Sequence, residues 1–85
     1  MRSLLGMVES LLFVSGDPLS VKDIVKATEW DEGAVMSALH ELQQRYATSD
    51  SGVQCIEVAN GWQLTTKPEY AHIVGKLLEI GRAHV

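Results

Sequence analysis

Val53-Gln54-Cys55-Ile56-Glu57-Val58-Ala59-Asn60-Gly61-Trp62-Gln63-Leu64-Thr65-Thr66 is the stretch that decides the fold. Two β-type runs flank Asn60-Gly61. Asn-Gly between such runs is the strongest short hairpin signal, because both residues tolerate the positive φ of a type I′ turn. A two-residue loop there sets Ala59 opposite Trp62 and Glu57 opposite Leu64. One hairpin face then carries Val53, Cys55, Trp62 and Leu64, and the other carries Ile56 and Val58 with Gln63 and Thr65.

Outward from the hairpin the period changes from two to 3.6. Downstream, Pro68 stands at the favoured first position of a helix whose stripe is Tyr70, Ile73, Val74 and Leu77. Upstream, Asp31 caps a helix running to about Ala47, with Val35, Ala38, Leu39, Leu42 and Tyr46 on one face. Ser20, with Asp23 three residues on, caps a shorter helix from Val21 to about Thr28 that buries Val21, Ile24, Val25 and Ala27. Trp30 falls in the turn between these two helices. Leu19 is placed to form a very short strand or bridge.

The first helix spans about Ser3 to Ser15. Leu4, Leu5, Met7, Val8, Leu11, Leu12 and Val14 share about half its circumference, and Arg2, Glu9 and Ser10 lie opposite with Phe13 among them. Gly16 and Asp17-Pro18 stop it. Three helices, a hairpin wing and a C-terminal helix make an α+β winged helix-turn-helix.

The 85 residues hold one small domain with a thin core. Seven Lys and Arg against eleven Asp and Glu leave a net charge of −4, without the overall basic footprint of a protein that lives on duplex DNA. Cys55 is the single cysteine, so neither an intramolecular disulfide nor a cysteine-rich metal site is available, which suits a reducing cytosol. Glu9 interrupts the N-terminal apolar stretch, which reads as a helix and not as a signal peptide. No run approaches a bilayer-spanning length, and a cytoplasmic protein is expected.

Catalytic chemistry finds little support. His40, His72 and His84 lack metal-ligand spacing, Cys55 has no identifiable base beside it, and the glycines form no phosphate-binding motif. No enzyme activity, cofactor, metal or small-molecule ligand is expected. DNA reading is the main alternative, since a winged helix can serve a transcriptional regulator through its third helix. That helix opens with Asp31, Glu32 and Gly33, and its outer face adds Ser37, His40, Glu41 and Gln44. Carboxylates there repel phosphates, and no Arg or Lys follows until Arg45. Lys22 and Lys26 share a face of the second helix, and the hairpin tip carries no charge.

Two stretches resemble a known family. Glu9-Ser10-Leu11-Leu12-Phe13-Val14-Ser15-Gly16-Asp17-Pro18-Leu19-Ser20 is similar to the opening motif of the segregation and condensation protein B family, Glu-Ala-Leu-Leu-Phe-Val-Ser-Gly-Glu-Pro-Leu-Ser. Val58-Ala59-Asn60-Gly61-Trp62-Gln63-Leu64-Thr65-Thr66-Lys67-Pro68-Glu69-Tyr70-Ala71 resembles its hairpin and following helix. The likeness covers about residues 4–78. Gln63 and Thr65 stand where many relatives place basic residues, which puts a nucleic-acid role of the wing in doubt. The resemblance implies a protein of two winged helices that pairs with itself through the N-terminal domain. It further implies binding to the kleisin ScpA and, through ScpA, engagement of the structural-maintenance-of-chromosomes (SMC) ATPase in chromosome condensation and segregation during the cell cycle. Nucleoid association would come through that complex. The second winged helix is not in this sequence.

The interface candidates are Leu5, Leu12, Phe13, Ile56, Val58 and Trp62. Phe13 either packs under the hairpin or meets a partner. Ile56 and Val58 are either covered by the first or fourth helix or free for a second copy. Trp62 reads as a cap over the core or as a binding hot spot, and Trp30 stays open in the same way. The last residues, Glu79-Ile80-Gly81-Arg82-Ala83-His84-Val85, break the helical pattern. The codons GAG-ATC-GGA-AGA-GCA-CAC-GTC encode them and read like a sequencing-library adapter. The expected division is therefore an N-terminal winged-helix domain over 1–78 and a non-native tail over 79–85, with the natural protein longer.

Overall fold

The computed structural model describes residues 2–83, with side-chain surroundings through residue 80; Met1, His84 and Val85 lie outside the described residues. Helices α1 (Leu4–Val14), α2 (Val21–Thr28) and α3 (Glu32–Arg45) precede strands β1 (Val53–Val58) and β2 (Gly61–Thr66). A 3₁₀ turn (Pro68–Tyr70) then leads into α4 (Ala71–Ala83). The architecture is the expected α+β winged helix.

Local chemistry sets the helix boundaries. The hydroxyls of Ser3 and Ser20 accept hydrogen bonds from the backbone N–H groups of Gly6 and Asp23, both at 3.0 Å. The Asp31 carboxylate accepts from the Ala34 N–H at 2.7 Å. Each cap satisfies one of the donors that a helix leaves orphaned at its first turn. The end of α1 differs from expectation. Ser15, in extended backbone, closes it and donates its N–H to the Leu11 carbonyl. Gly16 has no positive φ and supplies no left-handed stop. The left-handed residue that ends a helix is Glu29, at φ 63°, which donates its N–H to the Val25 carbonyl after α2.

The hairpin is present with a register different from the expected one. Val58 pairs with Gly61, Glu57 with Trp62 and Cys55 with Leu64, so the connecting residues are Ala59 and Asn60. Neither of them has a positive φ, so the turn is not type I′. Relative to the expected pairing the strands have slid by two residues. A two-residue slide preserves the faces, whereas a one-residue slide inverts them. Cys55 and Trp62 accordingly stay on one face, and that face points inward.

Leu19 adds a one-residue third strand. It exchanges two backbone hydrogen bonds with Trp62, at 2.8 and 2.9 Å. This approach gives Gly61 its reason. A Cβ there would stand 2.2 Å from the Leu19 carbonyl oxygen, and the residue sits at φ +142°. The glycine serves a close backbone crossing at the root of β2 and not a turn.

Val8 and Leu12 from α1, Ile24 from α2, Val35, Ala38, Leu39 and Leu42 from α3, and Cys55 and Trp62 from the hairpin form the core. Leu4, Leu5, Leu11, Leu19, Val21, Val25, Met36, Tyr46 and Leu64 pack around it, partly buried. Ala27, expected inside, is exposed. Val14 is a further correction, being 78% exposed. At 100° per residue it lies about 140° round from the line through Val8 and Leu12, which sets the buried direction of α1. The fourth helix stands apart. It continues through Glu79 to Ala83 without a break at Leu78, and its substantial packing is against its own 3₁₀ lead-in.

Candidate protein-interaction surface

The outer face of α3 matches the sequence reading. Glu32, Gly33, Ser37, His40, Glu41 and Gln44 are all exposed, and the Asp31 carboxylate is held at the helix N-terminus by its cap bond. Negative charge therefore occupies the end of the helix that a DNA reader would insert into a groove. The exposed tip of the wing, Ala59-Asn60, is uncharged. The exposed His40 places its ring edge-on to that of Trp62, with centroids 5.7 Å apart.

Apolar surface gathers elsewhere. Phe13 is 83% exposed at the end of α1. It does not pack under the hairpin. With Tyr46, Val53, Leu64, Thr65 and Thr66 it lines a groove of about 330 Å³ between the ends of α1 and α3 and the open end of the hairpin. The groove floor is held by a hydrogen bond that the Tyr46 hydroxyl donates to the Glu9 carboxylate, tying α3 to α1. That bond keeps the Tyr46 phenol above its ordinary pKa, and burial pushes the same way. The sequence reading placed Glu9 on the solvent side and Tyr46 in the buried stripe, and so missed the pair. A partner 37 residues away in sequence leaves no local signal.

The other interface candidates divide. Leu12 and Trp62 are 3% and 2% exposed and belong to the core, so they offer no free surface. Leu5, Ile56 and Val58 are half-buried. Neither hairpin residue is covered by α4 to any substantial extent. Trp30 is half-exposed in the α2–α3 turn.

The surface that the sequence left unassigned is α4. Ile73, Leu77 and Leu78 are exposed, as is Ile80 beyond the expected domain end, while Val74 is half-buried. At 100° per residue these five fall within about 160° of the helix, with His72, Gly75, Lys76 and Glu79 on the remainder. The stripe itself was legible, but its lack of a covering element was not. Tyr70 anchors the base of the helix beside Gly52, and Lys67 donates its backbone N–H to the Gly52 carbonyl at 2.8 Å and its ammonium to the Thr48 carbonyl at 2.6 Å.

Among the described residues no cluster of three His, Cys, Asp or Glu side chains is arranged to hold a metal ion. Cys55 is buried, and burial pushes its thiol up, away from the reactive thiolate. No described helix is long and apolar enough to cross a membrane.

Comparison with known proteins places the chain in a family. The family model described as "Segregation and condensation complex subunit ScpB" matches residues 6–84. A segregation and condensation protein B of Clostridium botulinum (strain Kyoto / Type A2) is 37% identical over 74 residues, which cover 87% of this chain and 38% of that protein. The chain thus spans well under half the length of the curated relatives it matches. The crystal structure of ScpB from Mycobacterium tuberculosis superposes with a TM-score of 0.86 at 29% identity, over 93% of this chain and 49% of that one. A ScpB N-terminal domain, crystallised as a dimer complexed with ScpA peptide, superposes with a TM-score of 0.80 at 35% identity, over 86% of this chain and 91% of that one. With its winged-helix fold and a family match over residues 6–84, this chain belongs to the segregation and condensation protein B family.

Proposed function

We propose that this chain is a non-catalytic scaffold unit of an SMC–kleisin assembly. It pairs with a second copy of itself and binds the kleisin ScpA, and through ScpA it joins the SMC ATPase in chromosome condensation and segregation. It works in the cytoplasm and reaches the nucleoid through the complex. The observation that carries this reading is the distribution of surface. Exposed Phe13, Val53, Ile73 and Leu77 offer apolar contacts, while the helix that would read DNA presents Glu32 and Glu41. Large exposed apolar side chains gathered near one another mark protein-interaction sites. The related N-terminal domain that crystallised as a dimer with ScpA peptide supports the same partners.

Co-purification with ScpA and sedimentation equilibrium at micromolar concentration test the reading together. Retention of ScpA through washing and a mass of two chains are expected. Phe13→Glu should weaken whichever contact uses the groove while leaving the fold intact. A monomer that fails to retain ScpA would overturn the proposal.

A further inference from the structure

We infer that α4 is an exchanged arm, its apolar stripe docking in the Phe13–Tyr46–Val53–Leu64 groove of a second copy while the second copy's α4 docks in return. This inference rests on the homodimer reading above and names the surfaces that would make it.

Four observations carry it. First, α4 is 13 residues long and contains Gly75 and Gly81, yet has little packing beyond its lead-in. An isolated helix of that length is marginal in water, and an internal glycine weakens it further, so its persistence calls for a covering surface. Second, excluding Ile80, the arm still presents Ile73, Val74, Leu77 and Leu78 as one stripe, the pattern of a helix that lies in an apolar groove.

Third, the arm is rooted at the groove. Thr66 lines the groove and pairs with Val53, and Lys67, one residue before the 3₁₀ lead-in, is hydrogen-bonded to Gly52. An arm from one copy that docks at this edge of a second is repaid in kind under a two-fold axis, because an isologous contact repeats every interaction reciprocally. Fourth, the area is sufficient. Ile73, Leu77, Leu78, Phe13 and Val53 are all exposed, each offering on the order of 100 Å². With Val74, Leu64 and the helix backbone they approach the about 800 Å² per partner of a stable interface.

The test uses the whole chain. Wild type and Leu77→Asp are compared by sedimentation equilibrium, with core amide protection as the measure of folding. Leu77 is exposed in the single chain, so the variant should fold normally and dimerise at least roughly thirtyfold more weakly. Separately, Leu77→Cys protein is mixed with Val53→Cys protein under mild oxidation. A disulfide-linked pair of the two variants is expected, while buried Cys55 stays free. A monomeric wild type would remove the dimer reading and this inference with it. A dimeric wild type whose Leu77→Asp variant dimerises equally well would overturn the exchange and leave the dimer standing. Cross-linking of Leu77→Cys only to itself would also overturn it, as would loss of core protection in Leu77→Asp, which would place α4 on its own body.

Discussion

Helices α3 and α4 carry the same kind of stripe and meet opposite fates. In α3, Val35, Ala38, Leu39 and Leu42 are buried against α1, α2 and β1. In α4, Ile73, Leu77 and Leu78 are left in solvent. Period 3.6 in apolar residues states that a helix has a face to cover, and it is silent on whether the cover comes from the same chain. The difference lies in connection. A short turn returns α3 over α1 and α2, whereas α4 leaves the hairpin with no later described element to fold back on it. The stripe of α3 serves the fold, and that of α4 stays exposed.

The comparison breaks most sharply at Leu39 against Leu77. Leu39→Ala should lower the unfolding free energy by about 2–5 kcal/mol, the usual cost of a cavity in a packed core. Leu77→Ala should change it by less than about 0.5 kcal/mol under monomeric conditions, as for a surface site. Denaturant titration of the two variants at low protein concentration reads the contrast, and equal losses would show that α4 is part of the single-chain core. Gly61→Ala tests the crossing that fixes the hairpin beneath α1. A Cβ 2.2 Å from the Leu19 carbonyl forces the bridge apart, and a loss of about 3 kcal/mol is expected from overpacking and backbone strain together. A neutral result would place the glycine's role in the turn after all.

Smaller effects refine the picture. Ser20→Ala removes the α2 cap and should cost about 1 kcal/mol in the same titration. Tyr46→Phe removes the bond to Glu9 beneath the groove and should cost about 0.5–1.5 kcal/mol at neutral pH. The sign with pH follows from the raised folded-state pKa of Tyr46. Its stabilising contribution is fully present below the ordinary tyrosine value, about 10, and is lost as pH rises through the folded-state value. Wild type and Tyr46→Phe should therefore converge in stability at strongly alkaline pH, and a difference unchanged there would mean that the hydrogen bond is not its source.

Much of the fold was legible because its signals are local. Ser20 and Asp31 cap the helices they precede, Leu19 forms the expected bridge, and the alternation of β1 and β2 puts Cys55 and Trp62 on one face. The hairpin register was not legible. Asn60-Gly61 offers a type I′ turn, but the Leu19 carbonyl requires the glycine for its own passage and moves the turn to Ala59-Asn60. Tertiary contact outranked a local preference. The candidate surface was half legible. Phe13 stood out as an aromatic on a polar face. Trp62, open between a core cap and a hot spot, is buried in the core cluster, edge-on to His40 and hydrogen-bonded to Leu19. The exposure of α4 was not legible, because the period of an apolar stripe does not say which element covers it.

The central claim is that this winged helix binds protein and does not read DNA. Fluorescence anisotropy of a labelled ScpA fragment and of a labelled duplex, each titrated with the chain at low and at physiological salt, tests it most directly. Saturable micromolar or tighter binding of the ScpA fragment with little dependence on salt is predicted, together with no saturable binding of the duplex at physiological salt. Saturable duplex binding that falls steeply with salt, with no binding of the ScpA fragment, would contradict it.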